Sequence, residues 1–225
     1  MIYERQVDNC MSKLPMPLFA SEANAESHHR IANSLQLVAS MISLESTQIH
    51  DDRARQSLKM AGVRIQAIAG VHRRLYSAPE VDCLDLASYL TSLTEELGPL
   101  CLPSLNSGKL VADLRPVTVR PETATSLGLI VAEAVVNACK YAYVDGKRGD
   151  IVIHLAGGAA DWGRLSIADT GCGMPAGARS ISGFGSRVID LAAERIGATI
   201  CHEDNRPGTR LVVNFPARPP IRSAP

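Results

Sequence analysis

The sequence predicts an α+β protein in which an antiparallel two-helix hairpin precedes an α/β sandwich. Three observations support this fold class. Apolar residues recur at helical spacing through two segments between residues 21 and 76. Beyond Pro79, strand-like segments alternate with amphipathic helical segments. The chain has 225 residues, 46% of them hydrophobic and 20% charged, which is enough for two domains with buried cores.

The hairpin begins with a helix predicted from about Ser21 to Ile49. Its apolar residues step by four, three, four and seven, which is the spacing of a heptad seam: Ile31, Leu35, Val38, Ile42 and Ile49. After the polar segment HDDR, a second helix is predicted from about Ala54 to Tyr76, with the apolar face Leu58, Ala61, Ile65, Ile68, His72 and Leu75. Two such helices with a tight link form an antiparallel hairpin.

A lone two-helix hairpin cannot enclose its own apolar seam. We therefore expect a second copy to complete a four-helix bundle, which makes the protein a homodimer through the hairpin. The alternative is that the seam packs against the second domain of the same chain.

The second domain is predicted as helices on one face of a mixed sheet. Its helices are LDLASYLTSLTEEL, Glu122 to Tyr141 and Gly185 to Ile196, and its strands are KLVADL, VTV, IVIHLA, RLSIADT, ATICHED and TRLVVNFP. The predicted boundaries are an N-terminal tail over 1–20, the hairpin over 21–78, the sandwich over 79–216 and a disordered tail over 217–225.

Composition excludes several classes of protein. Lys plus Arg (23) balances Asp plus Glu (23), so no uniform basic field exists for nonspecific binding of nucleic acid or of an anionic membrane. No segment approaches the roughly 20 apolar residues of a membrane-spanning helix, which predicts a cytoplasmic protein. The six cysteines are scattered without a CxxC pair, so neither a zinc site nor a disulfide framework is predicted.

The first helix carries the segment ESHHRIANSLQL. His29, Arg30 and Asn33 lie within about one turn, and His29 and Asn33 share a face. A neutral imidazole is a competent nucleophile toward a γ-phosphoryl group, and the nearby Arg30 could steady the charge on that group. A solvated surface histidine is the alternative.

The helix LGLIVAEAVVNACKYA carries a polar stripe. Glu133 and Asn137, followed by Lys140 or Tyr141, recur at spacings that place them on one face. The amide oxygen of Asn137 suits Mg²⁺, which prefers oxygen ligands, and Lys140 can meet a phosphate as a point charge. A solvent-facing stripe would explain the charges, but not why Glu133 and Asn137 stand among small and branched apolar residues.

Two glycine-containing turns complete the candidate site. In LSIADTGCGMP a strand ends at Asp169, whose carboxylate can accept a hydrogen bond from an adenine amino group and so discriminates against guanine. The flexible turn behind it contains Gly171 and Gly173. In SGFGSRVIDLAAERIG the glycines Gly183 and Gly185 open a helix whose N-terminal amides can hold phosphate oxygens.

Taken in order, HHRxxNxLQ, ExxxNAxKYA, DTGCGMP, GFG before a helix and GTR before a final strand resemble the sensor histidine kinases of the HRxxN class. The resemblance covers about residues 22–216. It implies a dimerisation and histidine-phosphotransfer hairpin over 21–78, and a Bergerat-type ATP-binding catalytic domain over 79–216. It also implies ATP-dependent autophosphorylation and transfer of the phosphoryl group to an aspartate of a response-regulator receiver domain.

The resemblance assigns roles to individual residues. It makes His29 the phosphoacceptor, with Arg30 and Asn33 beside it, and makes Glu133 a polarising or base residue. ATP and Mg²⁺ are the implied cofactors, with Asn137 as the metal ligand. The residues implied to bind the nucleotide are Asn137, Lys140, Tyr141, Asp169, Gly171, Gly173, Gly183, Gly185 and Thr209, the last backing up Asp169 through water.

The sequence also departs from the class. Ala32 and Ser34 stand where a lysine and a second asparagine are usual, so one positive charge beside His29 is missing. Fewer than thirty residues precede His29, so we expect an input signal to arrive in trans, from a sensor or another kinase, or not at all. The alternatives are a histidine phosphotransfer protein with a non-catalytic sheet domain, and a serine kinase or anti-sigma-type binder on the same ATPase fold.

Overall fold

A computed structural model describes residues 18–75, 83–101, 105, 108–143, 148–158, 161–173 and 184–217. For residues 18–29, 53, 71–75, 100 and 101 it describes the backbone alone. The helices are α1 (Leu18–Gln48), α2 (Asp52–Leu75), α3 (Leu86–Cys101), α4 (Pro121–Tyr141) and α5 (Phe184–Arg195). The strands are β1 (Leu84–Asp85), β2 (Leu110–Leu114), β3 (Thr118–Val119), β4 (Ile151–Gly157), β5 (Trp162–Asp169), β6 (Thr199–Asp204) and β7 (Thr209–Pro216).

Helices α1 and α2 form the predicted hairpin. Asp51 caps the second helix, because its side-chain oxygen accepts a hydrogen bond from the Ala54 amide at 2.7 Å. No helix among the described residues is long and apolar enough to cross a membrane.

The predicted apolar seam of α1 is only partly correct. Ile31 and Val38 are exposed, whereas Ala32, Ala39 and Ser46 are fully buried. The contact face therefore steps by three and four residues along Ala32, Leu35, Ala39, Ile42, Ser46 and Ile49. Small residues at every seventh position of α1 let the two helix backbones approach closely. Gly62 of α2 lies at such an approach, because a β-carbon there would lie 3.7 Å from both the Ala39 carbonyl oxygen and the Ile42 side chain. The apolar periodicity alone predicted burial of the larger side chains Ile31 and Val38, which stand one position before Ala32 and Ala39.

The second domain is built on a five-stranded mixed sheet of order β2-β4-β5-β7-β6. Strands β2 and β4 are parallel, and the other neighbours are antiparallel. Helices α3, α4 and α5 share a continuous core with one face of this sheet, as predicted. The predicted strand VTV does not join the sheet; Thr118 and Val119 pair with Leu84 and Asp85 instead.

Helix α2 packs against the second domain as well as against α1. Val63 and Ala67 are buried in the core of the sandwich. The hydroxyl of the buried Tyr89 donates a hydrogen bond to the Ala67 carbonyl at 2.9 Å. The predicted face of α2 is half-buried at Leu58, Ala61, Ile65 and Ile68, and the side chains of His72 and Leu75 lie outside the described residues. Part of the hairpin thus follows the alternative in which it packs on its own chain.

Candidate functional site

Helix α4 supplies the polar residues at the centre of the site. It begins at Pro121, which fits the first turn because that turn has no intrahelical use for the missing N–H. Its apolar residues are buried under the sheet, and Glu133 is buried among them at 2% exposure. Asn137 and Lys140 follow at one-turn spacing and are half-buried, while Tyr141 is exposed. The predicted stripe therefore exists, with Glu133 at its buried end.

The start of α5 lies against Glu133 and Asn137. A side chain at Gly185 would meet Glu133 Oε2 at 2.6 Å and the amide atoms of Asn137 at 3.6 Å. Any other residue here would require the Glu133 carboxylate to shift. The N-terminal end of α5, where the first backbone amides of a helix have no intrahelical acceptor and can bind an anion, therefore faces the polar stripe of α4. Gly183, the other predicted glycine, lies outside the described residues.

Asp169 ends β5 in a pocket of hydrogen-bond donors. Its carboxylate accepts a hydrogen bond from the Gly171 amide at 2.9 Å, and it is also bonded by the amide and the hydroxyl of Thr209. Burial raises the pKa of the Asp169 carboxyl, and these hydrogen bonds partly offset the rise because they stabilise the ionised form. Thr209 therefore contacts Asp169 directly, where a bridging water was predicted.

The turn after Asp169 packs under the end of α4. A side chain at Gly171 would overlap the backbone of Ala142, and Gly173 has a φ of +74° that favours glycine. The Cys172 amide donates to the Ala142 carbonyl at 2.9 Å. Both predicted glycines are therefore needed to fold this turn against α4.

Two residues that sequence reasoning missed hold the Asp169 backbone. The Asn205 side-chain amide donates to the Asp169 carbonyl at 2.7 Å, and Arg210 in turn donates to Asn205 Oδ1 at 2.9 Å. Gly208, at a φ of +119°, lies so close that a side chain there would overlap the same carbonyl. The polar turn DNRPGTR was a signal for Asn205, because turn asparagines commonly bond neighbouring backbone.

Tyr143 was also missed. It is buried beyond the end of α4, and its hydroxyl donates to the Asp150 carbonyl at 2.6 Å and accepts from the Thr170 amide at 3.3 Å. Burial raises the pKa of this phenol, so it stays protonated and can donate. It ties the start of β4 to the turn that follows Asp169.

Glu133 is paired with a residue of the hairpin. Arg64 of α2 forms an ion pair with the Glu133 carboxylate through its Nε. The Arg64 guanidinium also lies over the ring of Phe184, 4.8 Å from its centroid. No sequence signal connected Arg64 with Glu133, because the two lie 69 residues apart on different domains.

The hairpin residues of the predicted site lie on α1. Arg30 and Asn33 are exposed, and His29 is described by its backbone within the helix. Gly62 of α2 lies level with residues 39–42 of α1, so Arg64 lies level with about residue 38 in the antiparallel pair. His29 is nine residues further along, about 13 Å at 1.5 Å per residue. The structure does not bring His29 to Glu133.

The residues present fit a nucleoside triphosphate. Glu133 and Ala142 mark the two ends of the site on α4, nine residues or about 13 Å apart, a length comparable to that of an extended nucleotide. The Asp169 carboxylate suits a base amino group at one end, and the α5 N-terminus suits phosphate at the other. No three His, Cys, Asp or Glu side chains of the described residues form a metal cage, so Mg²⁺ would depend on Asn137 and on phosphate oxygens.

Comparison with known protein families gives two matches. A family model described as histidine kinase matches residues 26–100. A second, described as histidine kinase-, DNA gyrase B-, and HSP90-like ATPase, matches residues 122–219. The first covers the hairpin and α3, and the second covers α4 and the strands around Asp169.

Curated relatives are histidine kinases at low identity. Blue-light-activated histidine kinase 2 of Erythrobacter litoralis is 24% identical over 197 residues, which is 85% of this chain and 55% of the relative. Sensor histidine kinase PdtaS of Mycolicibacterium smegmatis is 26% identical over 202 residues, which is 85% of this chain and 39% of the relative. The chain therefore spans about half, or less, of the length of these relatives.

A solved structure has the same fold. The histidine kinase domain of the Erythrobacter litoralis EL346 blue-light activated histidine kinase superimposes with a TM-score of 0.65 at 20% identity, covering 86% of this chain and 94% of that one. The two family models match the helical hairpin and then the ATPase-type domain, in this order along the chain. The chain therefore belongs to the histidine kinase family.

Proposed function

We propose that the chain is an ATP- and Mg²⁺-dependent protein-histidine kinase that phosphorylates His29 and passes the phosphoryl group to an aspartate of a response-regulator receiver domain. One observation carries the proposal. The buried Asp169 carboxylate lies beside the turn that packs under the C-terminal end of α4, and Glu133 lies nine residues, or about 13 Å, before Ala142 along the chain. This spacing suits a nucleotide, in a chain that also carries HHRIAN on a hairpin helix. The domains we assign to these tasks are 21–78 for phosphotransfer and 79–216 for catalysis.

Each nucleotide-binding residue has a task in this proposal. Asp169 accepts the adenine amino hydrogen, supported by Gly171 and Thr209. The phosphates lie between the Gly185 amide end of α5 and Lys140. Gly173 and Tyr141 border the base pocket, and Gly183 belongs to the phosphate side. Asn137 holds Mg²⁺, which supplies positive charge to the phosphate oxygens when bound.

The reaction exchanges one bond to phosphorus for another. An imidazole nitrogen of His29 forms a bond to the γ-phosphorus, and the bond from that phosphorus to the bridging oxygen breaks, so ADP leaves with the electron pair. Glu133 takes up the proton that the phosphorylated imidazole loses. Arg30 steadies the charge on the transferred group, and Asn33, one turn from His29, orients it.

Labelling with γ-³²P-ATP and Mg²⁺ tests the proposal. The wild-type chain is expected to take up label that is lost in acid, because phosphohistidine is acid-labile. His29→Ala is expected to remove the label. The matched control is His28→Ala, one position away on the same helix, which is expected to keep it. Equal labelling of wild type and His29→Ala would refute the assignment.

The proposal also includes a homodimer formed through the hairpin. Helix α1 carries a second apolar surface, which faces away from α2 and is exposed at Leu37 (63%), Met41 (58%) and Leu44 (64%). Burying it against a second copy would complete a four-helix bundle, so we infer a homodimer. Light scattering at micromolar concentration should give twice the chain mass, and Leu37→Glu with Leu44→Glu should give the monomer. A wild-type monomer would contradict the dimer.

Transfer to a receiver domain is tested separately. Phosphorylated chain, freed of ATP, is mixed with each member of a panel of receiver domains. Rapid loss of label from His29 with gain of label on one receiver is expected. Receiver variants with the acceptor aspartate replaced by asparagine serve as controls.

A further inference from the structure

Arg64 connects the hairpin to the part of the site where the phosphates are expected. Its guanidinium pairs with Glu133, a residue at 2% exposure, and stacks on Phe184, the first residue of α5. A hydrogen bond between a guanidinium and a buried carboxylate is among the strong noncovalent contacts of a protein. The contact therefore fixes α2 to both α4 and α5.

The position of this contact matters for the proposed reaction. Arg64 holds Glu133 level with about residue 38 of α1, nine residues or about 13 Å from His29 along the hairpin. A general base must come within about 3 Å of the group that it serves, directly or through one water. While Arg64 holds Glu133, the carboxylate is both engaged and displaced from His29.

We propose that Arg64 is a latch that keeps the two domains docked in a resting arrangement, and that its release from Glu133 frees the catalytic domain to reach His29. This inference rests on the proposed kinase function. The competing interpretation, that Arg64 itself serves the transfer, predicts the opposite change in rate and is an outcome of the test.

The first measurement follows docking without reference to activity. In full-length protein, Arg64→Gln is expected to speed hydrogen exchange of the α2 amides near Ala67 about tenfold, because the helix opens from the domain more often. The matched control is Arg55→Gln, the same substitution on the same helix, whose contacts are an ion pair with the neighbouring Asp52 and a hydrogen bond to the Ile49 carbonyl in the link between α1 and α2. Unchanged exchange in Arg64→Gln would overturn the latch.

The second measurement is the initial rate of acid-labile labelling at saturating ATP and Mg²⁺. Release of the latch predicts labelling about tenfold faster in Arg64→Gln than in wild type or Arg55→Gln, with little change in the KM for ATP. Slower labelling would assign Arg64 to the transfer itself, and equal labelling would leave it without influence. Either result overturns the latch.

Two further variants separate the possible failures. If Arg64→Gln does not fold, because Glu133 is then buried without a partner, the double variant with Glu133→Gln removes both charges and is expected to show the faster exchange. If neither wild type nor the variants take up label, while hydrogen exchange still responds to Arg64→Gln, then both the proposed kinase function and the activating effect of releasing Arg64 are refuted. Labelled wild type with unresponsive exchange would refute the latch alone.

Discussion

The two ends of the candidate site are held in different ways. At the Asp169 end the hydrogen bonds among the described residues come from the second domain: Gly171 and Thr209 bond the carboxylate, and Asn205 bonds the carbonyl. At the Glu133 end the strongest contact comes from Arg64, a residue of the hairpin. The hydrogen bonds that hold the Asp169 end (the base end) thus come from one domain. The contacts of the Glu133 end (the phosphate end) depend on where the hairpin lies. In the proposed kinase, a nucleotide could be recognised in either arrangement of the domains, while catalysis would depend on that arrangement.

The largest expected effect separates binding from catalysis. Asp169→Asn should lower ATP affinity about 100-fold, because the carboxylate acceptor is replaced partly by an amide donor facing another donor. Glu133→Gln should leave ATP affinity within a few fold of wild type. Calorimetric titration of both variants with ATP and Mg²⁺ measures this contrast. A similar loss in both variants would show that the two ends do not act independently.

Gly208→Ala should displace the backbone that carries Asp169 at the base end of the site. The new side chain would overlap the Asp169 carbonyl at a positive φ, which should cost about 2–4 kcal/mol of unfolding free energy and weaken ATP binding. Gly197→Ala is the matched control, because Gly197 also has a positive φ but nothing within 4 Å of the added carbon. It should cost only about 1 kcal/mol. Urea denaturation of both variants decides whether crowding or conformation dominates.

Asn205→Ala should have a smaller effect in the same place. It leaves the Asp169 carbonyl without its side-chain donor and should cost about 1 kcal/mol, with a few-fold loss of ATP affinity. Labelling at saturating ATP should be unchanged, because Asn205 does not reach the Glu133 end. A lower rate at saturation would couple the two ends.

The smallest effect is a pH dependence of stability. The folded-state pKa of Asp169 is raised, chiefly by burial, so the folded chain binds this proton more tightly than the unfolded chain does. The stabilisation that this gives is complete below the unfolded pKa and is lost as pH rises through the folded pKa. The unfolding free energy of wild type minus that of Asp169→Asn should fall with pH across that interval. A flat difference would mean that burial and hydrogen bonding cancel.

Much of the fold followed from local sequence patterns. The predicted helices and the strands of the large sheet agree with the structure to within a few residues, because amphipathic spacing and glycine turns act over short distances. The prediction was wrong where two surfaces compete for one helix. Ala39 and Ser46 are buried while Val38 is exposed, which a pattern that ranks residues by hydrophobicity cannot anticipate.

The site was predictable to a similar extent. The roles of Asp169, Glu133 and Asn137 stay predictions, although Glu133 and Asn137 lie on one face of α4 and Asp169 lies beside the turn that packs under the end of this helix. The polar turn around Asn205 indicated a backbone contact but not Asp169 as its partner, and no local pattern connects Arg64 with Glu133. Only the packing of one element on another reveals these two contacts.

The hydrogen bond from Tyr89 to Ala67 bears on how this molecule can be divided. The Tyr89 ring lies so close to Gly128 of α4 that a side chain there would overlap its hydroxyl, and the same hydroxyl reaches the backbone of α2. A fragment beginning at residue 79 would uncover this tyrosine and the apolar surface around it. The boundary between the domains in the sequence therefore does not separate two independently packed cores. Any rotation of the hairpin away from the second domain must first expose the apolar residues that the two domains bury together.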